Sequence, residues 1–266
     1  MTLKQLYIPR EGEKMRIAGF MSGSGTNMIR ILEHGEMMQN KDGFSPYKVV
    51  VIFSDNLKSK AEEIGKKYKI PVKINDISEF YKARGLTSTR YKDSPQTRIE
   101  FDEATVGALK DFEIDVAAYA GYMLKATKHL VNAFFGVNVH PADLSIMADG
   151  KRKYTGDNAV RDAILAGEKQ LRATTHVLEE RVDYGRILMI SPPIDVVLPE
   201  GFNANDKEQV KSVSNEHQNL LKEAGDWRIF PKTLEFLADG RYSQNDKGNI
   251  HFDGNPIPFG KKLDVI

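Results

Sequence analysis

Three short apolar runs separated by two amphipathic stretches, all within residues 15–74, constrain this chain more than any other feature. MRIAGFM (15–21), YKVVVIF (47–53) and IPVKI (70–74) are largely apolar throughout, the pattern of strands buried on both faces. Between the first two, MIRILEHGEMM places Met28, Ile31, Leu32 and Met38 at roughly helical intervals. SKAEEIGKKYK does the same between the second and third. Strand–helix–strand–helix–strand predicts an α/β fold: a mostly parallel, twisted sheet with helices on both faces and right-handed crossovers.

The rest of the chain continues in kind. IDVAAYAGYM and GVNVH read as further strands, and GDNAVRDAILAG (156–167) as a helix stopped by glycine. RATTHVLEE and GRILMISPPIDV supply two more strands. NDKEQVKSVSNEHQNLLKEAG and WRIFPKTLEFLADG read as two helices, with Pro231 marking a boundary or a first turn. RYSQNDKGNIHFDGNPIP reads as a hairpin around Asp246–Gly248. Residues 82–98, polar and rich in Lys and Arg, read as a solvated loop leading into the helix IEFDEATVGALKDF. No repeat or Pro/Gly-rich linker interrupts the pattern. The expected organisation is a short N-terminal extension (1–14) and one domain (15–266).

Bulk properties exclude several classes. The 38 Lys and Arg against 37 Asp and Glu give a net charge of +1, so no global field favours nucleic acid or an anionic membrane. An anionic ligand therefore needs a local site. With no cysteine there is no disulfide, no Cys-ligated zinc and no thiol nucleophile, which suits a reducing cytoplasm. No apolar stretch reaches transmembrane length. The opening MTLKQLYIPREGEK is too polar for a secretory signal. A soluble, cytoplasmic protein is expected, without membrane or nucleic-acid partners.

Candidate chemistry gathers in a few places. In SGSGTNM, Gly23 and Gly25 permit a tight strand-to-helix turn whose amides favour an anion, and Ser24, Thr26 and Asn27 add side-chain donors. A dinucleotide fingerprint would want a third glycine where Met28 stands, although Asp55 ends the second strand as a ribose-binding acid would. No Gly-Lys-Ser/Thr follows, so a P-loop is excluded. Of six histidines, none has metal-site spacing. His129 and His251 read as exposed polar residues, and His34 as an ordinary residue near a helix end. His176 is either a satisfied interior histidine or part of a site. In FGVNVHPADLS, Asn138, His140 and Pro141 close a short strand with Asp143 close behind. They either end the strand harmlessly or stand in the ligand crevice at its carboxyl edge. Asp183, in RVDYGR, is by itself a turn residue. No Gly-x-Ser-x-Gly elbow accompanies His140.

Taken in order, SGSGTNM, FSDN, AGYMLKAT, VNVHP, THVLEERVDYGRIL and LADGRY resemble the glycinamide ribonucleotide formyltransferases, folate-dependent enzymes of purine synthesis. The resemblance runs from about Met15 to Pro258. It implies a Rossmann-like formyltransferase fold and transfer of a formyl group from 10-formyltetrahydrofolate to a primary amine on a phosphorylated sugar, without a metal. By resemblance Asn138, His140 and Asp183 fall on the catalytic trio. Gly23, Ser24, Gly25, Thr26 and Asn27 fall on the substrate-phosphate loop, and Glu216 on an acid that contacts the ribose. Tyr122, Met123 and Leu124 fall on the folate wall, partly through backbone groups. Glu180 falls on the loop closing that pocket, and His176 on a family histidine seven residues before the catalytic acid.

Departures surround the acceptor side. After His140 the family usually continues Ser-Leu-Leu-Pro with a short approach to Tyr-Pro-Gly; here the chain reads ADLSIMADGKRKYTG. Lys151, Arg152 and Lys153 there either attract an anionic substrate or face water. Asn158 and Val160 stand where a mobile loop normally carries histidines, and 82–98 and 222–230 look like additional material. The rivals are formyl transfer to another amine such as an amino sugar nucleotide, an NAD-dependent reductase using Gly23, Gly25 and Asp55, or a folate- or nucleotide-binding protein without turnover. Methionyl-tRNA formylation and formyltetrahydrofolate hydrolysis fit less well, for want of a basic C-terminal domain and of a long N-terminal module. A monomer or homodimer is expected.

Overall fold

Strand β1 (Met15–Met21) forms where the first apolar run predicts it, and every residue but Arg16 is buried. It is followed by α1 (Thr26–Asp42), β2 (Tyr47–Ser54), α2 (Ala61–Tyr68) and β3 (Val72–Ile74), the expected alternation. Next come α3 (Ile77–Lys82), α4 (Pro95–Leu109), β4 (Val116–Tyr119), α5 (Lys128–Ala133) and β5 (Phe135–His140). The computed structural model describes residues 2–263. Met1 and residues 264–266, the outer ends of the expected extension and domain, lie outside the described residues.

The chain forms two compact units and passes between them after Tyr7, Asn138, Val177 and Glu180. The unit built on residues 8–138 and 178–180 holds parallel strands in the order β5-β4-β1-β2-β3. The chain progresses from β1 outward to β3, then returns to the other side of β1 with β4. The carboxyl ends of β1 and β4 therefore flank a topological switch point, where open α/β sheets bind ligands. Phe20 stacks on Tyr119 (ring centroids 4.8 Å apart) and packs against Phe53 and Tyr122 at 5.1 and 5.6 Å. This aromatic cluster lies beneath the ends of those strands.

One expectation here is corrected. Residues 95–98 belong to α4, started by Pro95 at its first turn, and Arg98 is 1% exposed rather than solvated. Its Nη2 lies 2.9 Å from Asp102 Oδ1, one helical turn on, and Asp102 Oδ2 accepts the Thr127 amide at 2.8 Å. Composition suggested a surface loop, but the i, i+4 carboxylate offsets the charge that burial would otherwise penalise. Removing one partner of such a pair costs about 3–5 kcal/mol.

In the second unit (residues 1–7, 139–177 and 181–266) a hairpin of β6 (Met147–Ala148) and β7 (Lys151–Arg152) precedes α6 (Ala159–Leu165). Strands β8 (Thr174–Val177) and β9 (Ile187–Ile190) pair antiparallel, and β9 pairs parallel with Lys261–Lys262. α7 (Lys207–Leu221) and α8 (Trp227–Ala238) are joined by a π-helical turn, Lys222–Asp226. Pro231 therefore sits inside α8, past its first turn, rather than at a boundary. The π turn, not the proline, separates the two helices. The hairpin β10 (Tyr242–Gln244) and β11 (Ile250–Phe252) forms as expected, with Asn245 Oδ1 accepting the amides of Lys247 and Asn249. Lys4–Gln5 pairs antiparallel with β10. His251, expected on the surface, is 6% exposed because it faces inward from β11.

Candidate active site

His140 is the last residue of β5 and is 5% exposed. Strand alternation puts Asn138 and His140 on the same face of β5. The following chain is pinned rather than loose. The Thr174 hydroxyl donates to Ala142 O (2.6 Å) and accepts the Leu144 amide (3.2 Å). Asp143 Oδ1 accepts the Ser145 amide and hydroxyl, so that acid is a turn former.

The connection from β8 to β9 brings Asp183 to His140. Asp183 holds φ 57, a left-handed conformation that Asp tolerates better than most residues. Gly185 is required two residues later, since a Cβ there would lie 1.6 Å from Val177 O. Asp183 Oδ2 stands 3.5 Å from His140 Nδ1 and accepts the Gly156 amide at 2.7 Å. Asp183 Oδ1 stands 3.6 Å from His176 Nε2. His176, 1% exposed, donates from Nδ1 to Val177 O (2.9 Å), and His140 donates from Nε2 to Tyr154 O (3.1 Å). Both donor assignments follow from the carbonyls, which can only accept. The His140 nitrogen that faces Asp183 is thus the basic one, and His176 hydrogen-bonds the Asp183 carboxylate.

Electrostatics reinforce this. Burial pushes the Asp183 carboxyl up, but His176, His140 and the Gly156 amide outweigh it and hold the group down at about 2. Burial is the main cause lowering His140, with Asp183 and the Tyr154 carbonyl opposing and His176 and Arg152 assisting. Near neutral pH the cluster is a carboxylate beside a neutral imidazole. It accepts a proton and, on doing so, forms an ion pair.

In the other unit, Gly25 closes the turn onto α1 with φ 66, and a Cβ there would strike Ile64 and Met21. Gly23 differs: it has no positive φ, and a Cβ would meet nothing within 4 Å. Ser24 is exposed, Thr26 half-buried and Asn27 buried. Met28 occupies the place of a third glycine because the small residue lies opposite it, where a Cβ on Gly19 would fall 1.9 Å from Met28 Cε. Ser22 links the strand ends: its amide donates to Gly121 O (3.0 Å), its Oγ accepts the Met123 amide (2.9 Å), and it hydrogen-bonds Asp55. Asp55 is 4% exposed, and burial raises its pKa. That is a poor placement for an acid meant to grasp a ribose. The Tyr122 ring is buried in the aromatic cluster, with its hydroxyl 3.4 Å from Arg98 Nη2, whereas Met123 is 69% exposed. Leu124 packs partly against the core.

The model of the family described as formyl transferase matches residues 15–219, about three quarters of the sequence. This chain belongs to that family. It is 25% identical over 246 residues to the phosphoribosylglycinamide formyltransferase of Haemophilus influenzae, covering 91% of this chain and 96% of that protein. It is 24% identical over 242 residues to the human trifunctional purine biosynthetic protein adenosine-3, covering 90% of this chain but 20% of that longer one. Among solved structures, the phosphoribosylglycinamide formyltransferase of Coxiella burnetii superposes with a TM-score of 0.67 at 20% identity, covering 95% of this chain and all of that one. That of Bacillus halodurans gives 0.57 at 26%, covering 83% and 93%. The expected formyltransferase fold is the observed one.

Within this formyl transferase, the structure brings His140, His176 and Asp183 together. Glu216 and Glu180 are exposed, the former on α7. Beside it His217 is structural, donating to Val213 O (2.8 Å) and accepting the Val197 amide (3.0 Å). Val160 is core, and Asn158 stands exposed at the residue preceding α6, with no side-chain capping bond. Sequence reasoning missed Ser22, Tyr154 and Gly156: the last two act through backbone groups, and the Ser22 hydroxyl bonds Met123 and Asp55, which lie far from it in sequence. Among the described residues no group of three or more His, Asp or Glu is arranged to hold a metal ion. Among them, too, no helix is long and apolar enough to cross a membrane.

Proposed function

We propose that this formyl transferase moves a formyl group from 10-formyltetrahydrofolate to the primary amine of glycinamide ribonucleotide, as a step of purine biosynthesis. The observation that carries the reading is the His140–Asp183–His176 cluster: a carboxylate held ionised, with a neutral imidazole presenting its basic nitrogen. The amine nitrogen attacks the formyl carbon, giving a tetrahedral centre with an oxyanion and an ammonium. His140 Nδ1 takes the ammonium proton, assisted by the Asp183 carboxylate beside it. The resulting imidazolium is held by Asp183 on one side and Tyr154 O on the other, and its charge, with the Asn138 amide, stabilises the oxyanion. The bond from the formyl carbon to folate N10 then breaks, and N10 receives the proton. Tetrahydrofolate and the formylated amine are released, with no covalent enzyme intermediate.

Gly23 to Asn27 take the substrate phosphate in this reading. The open space above Gly23 supports it, since a glycine with no positive φ and no neighbour suits close approach of a ligand to backbone. Glu216 meets the ribose. The segment Tyr122–Leu124, with Glu180 and His176, receives the folate; Tyr122 acts through its backbone, because its ring is committed to the core. Residues 15–266 then constitute the catalytic domain, and no metal takes part.

Comparing kcat/KM on glycinamide ribonucleotide and on amino sugar nucleotides, with 10-formyltetrahydrofolate as donor, tests the acceptor. The ribonucleotide is expected to be preferred by about a hundredfold or more. Background turnover on it, with rapid formylation of an amino sugar nucleotide, would overturn the acceptor and leave formyl transfer standing.

A further inference from the structure

The hairpin β6–β7, where this sequence departs from the family pattern, sets a cation against the backbone of the Asp183 turn. Arg152 Nη2 donates to Gly185 O at 2.9 Å, and Nη1 donates to Asp183 O. One planar guanidinium thus grips the turn on both sides of Tyr184, whose ring centroid lies 5.7 Å from it. The other end of the grip is fixed too. Met147 pairs with Arg152 across the hairpin, the Lys153 amide donates to Ile146 O (2.9 Å), and Lys153 and Tyr154 both bond Glu168 (3.0 and 2.5 Å). Lys151 and Lys153 face outward, so the basic run is a solvated face only in part. The next residues reach the same centre, Tyr154 through its carbonyl to His140 and Gly156 through its amide to Asp183.

We propose that Arg152 is a positioning residue of the reaction: its two-pronged grip locks the Asp183 turn so that the carboxylate stays between His140 and His176. The turn needs such a lock. Asp183 sits in a left-handed conformation that a free loop would leave; the Gly156 amide holds its carboxylate at 2.7 Å, but the 3.5 and 3.6 Å approaches to the histidines are too long to fix the backbone of the turn. A lysine would not replace the arginine, because an ammonium is a point charge without the planar fork that spans two carbonyls. The charge has a second effect. The groups facing His140 are Asp183, His176, Arg152 and the Tyr154 carbonyl, and Arg152 opposes formation of the imidazolium.

The kinetic part of the test rests on formyl transfer being the activity; an NMR titration of the His140 imidazole in the free protein does not. In R152M the His140 titration is expected to move to higher pH. Its kcat should fall about ten- to hundredfold, the acid limb of kcat should move the same way, and KM for folate should stay within about twofold. In R152K the His140 titration returns toward wild type while kcat stays low, separating the charge from the grip. Wild-type kcat with an unmoved His140 titration in R152M overturns the proposal. Should R152M not fold, R152K decides: wild-type kcat there overturns it, and reduced kcat at an unchanged melting temperature supports it. A protein without formyl transfer sinks the functional reading, and the grip is then read from Asp183 itself: a raised Asp183 titration in R152K, where the charge is kept, sustains the positioning role, and an unmoved one overturns it.

Discussion

His140 carries the clearest pH signature of any single residue. Its folded pKa lies below the ordinary 6.5, so at pH below about 6.5 the unfolded chain binds more protons than the folded one. Stability from this group is complete above that pH and declines as pH falls. Asp183 acts in a second window: its folded pKa of about 2 lies under the usual 3.8, so its contribution is complete above 3.8 and is lost as pH falls through 2. Urea unfolding of the wild type should therefore show stability declining from about pH 6.5 downward. The same series on His140→Asn should be flatter between pH 6.5 and 5. An identical decline in both proteins would place the protonation elsewhere. Neither residue was identifiable alone from the sequence. His140 stood at a plausible strand edge and Asp183 in an ordinary-looking turn, and only their order among other segments joined them.

At the scale of elements, two glycines separate structural necessity from ligand clearance. Gly185 faces backbone, 1.6 Å from where its Cβ would sit, and backbone cannot swing aside as a side-chain end can. Gly185→Ala should cost about 3 kcal/mol or more in stability, read by chemical denaturation. Gly23→Ala should change stability by no more than about 0.5 kcal/mol, since its Cβ meets nothing. The same Gly23→Ala should raise KM for a phosphorylated acceptor if the phosphate approaches that backbone. An unchanged KM would remove the turn from substrate recognition. The parallel strands were legible because burial on both faces leaves an uninterrupted apolar run, and helices α1 and α2 because their periodicity is regular. Arg98 and Pro231 were misread for a common reason: a buried ion pair and a π turn depend on what lies next to them in space. Composition reports only the residue type.

At the scale of the whole molecule, family membership rests on a match over residues 15–219, while the site rests on one carboxylate and two imidazoles. The alternation of strands and helices made the fold class readable. The acceptor side was not, since the segment 147–156 contributes mainly backbone groups and one arginine fork. The most direct test follows tetrahydrofolate release and formylated product together, in wild type and in Asp183→Asn, with 10-formyltetrahydrofolate and glycinamide ribonucleotide. The wild type is expected to give the two products in equal amounts. Asp183→Asn should fold and bind folate yet lose about 10²- to 10⁴-fold in kcat, because a near-isosteric amide has no charge to assist the proton transfer or to hold the imidazolium. Wild-type turnover by folded Asp183→Asn, or tetrahydrofolate release without formylated amine in the wild type, would contradict the account.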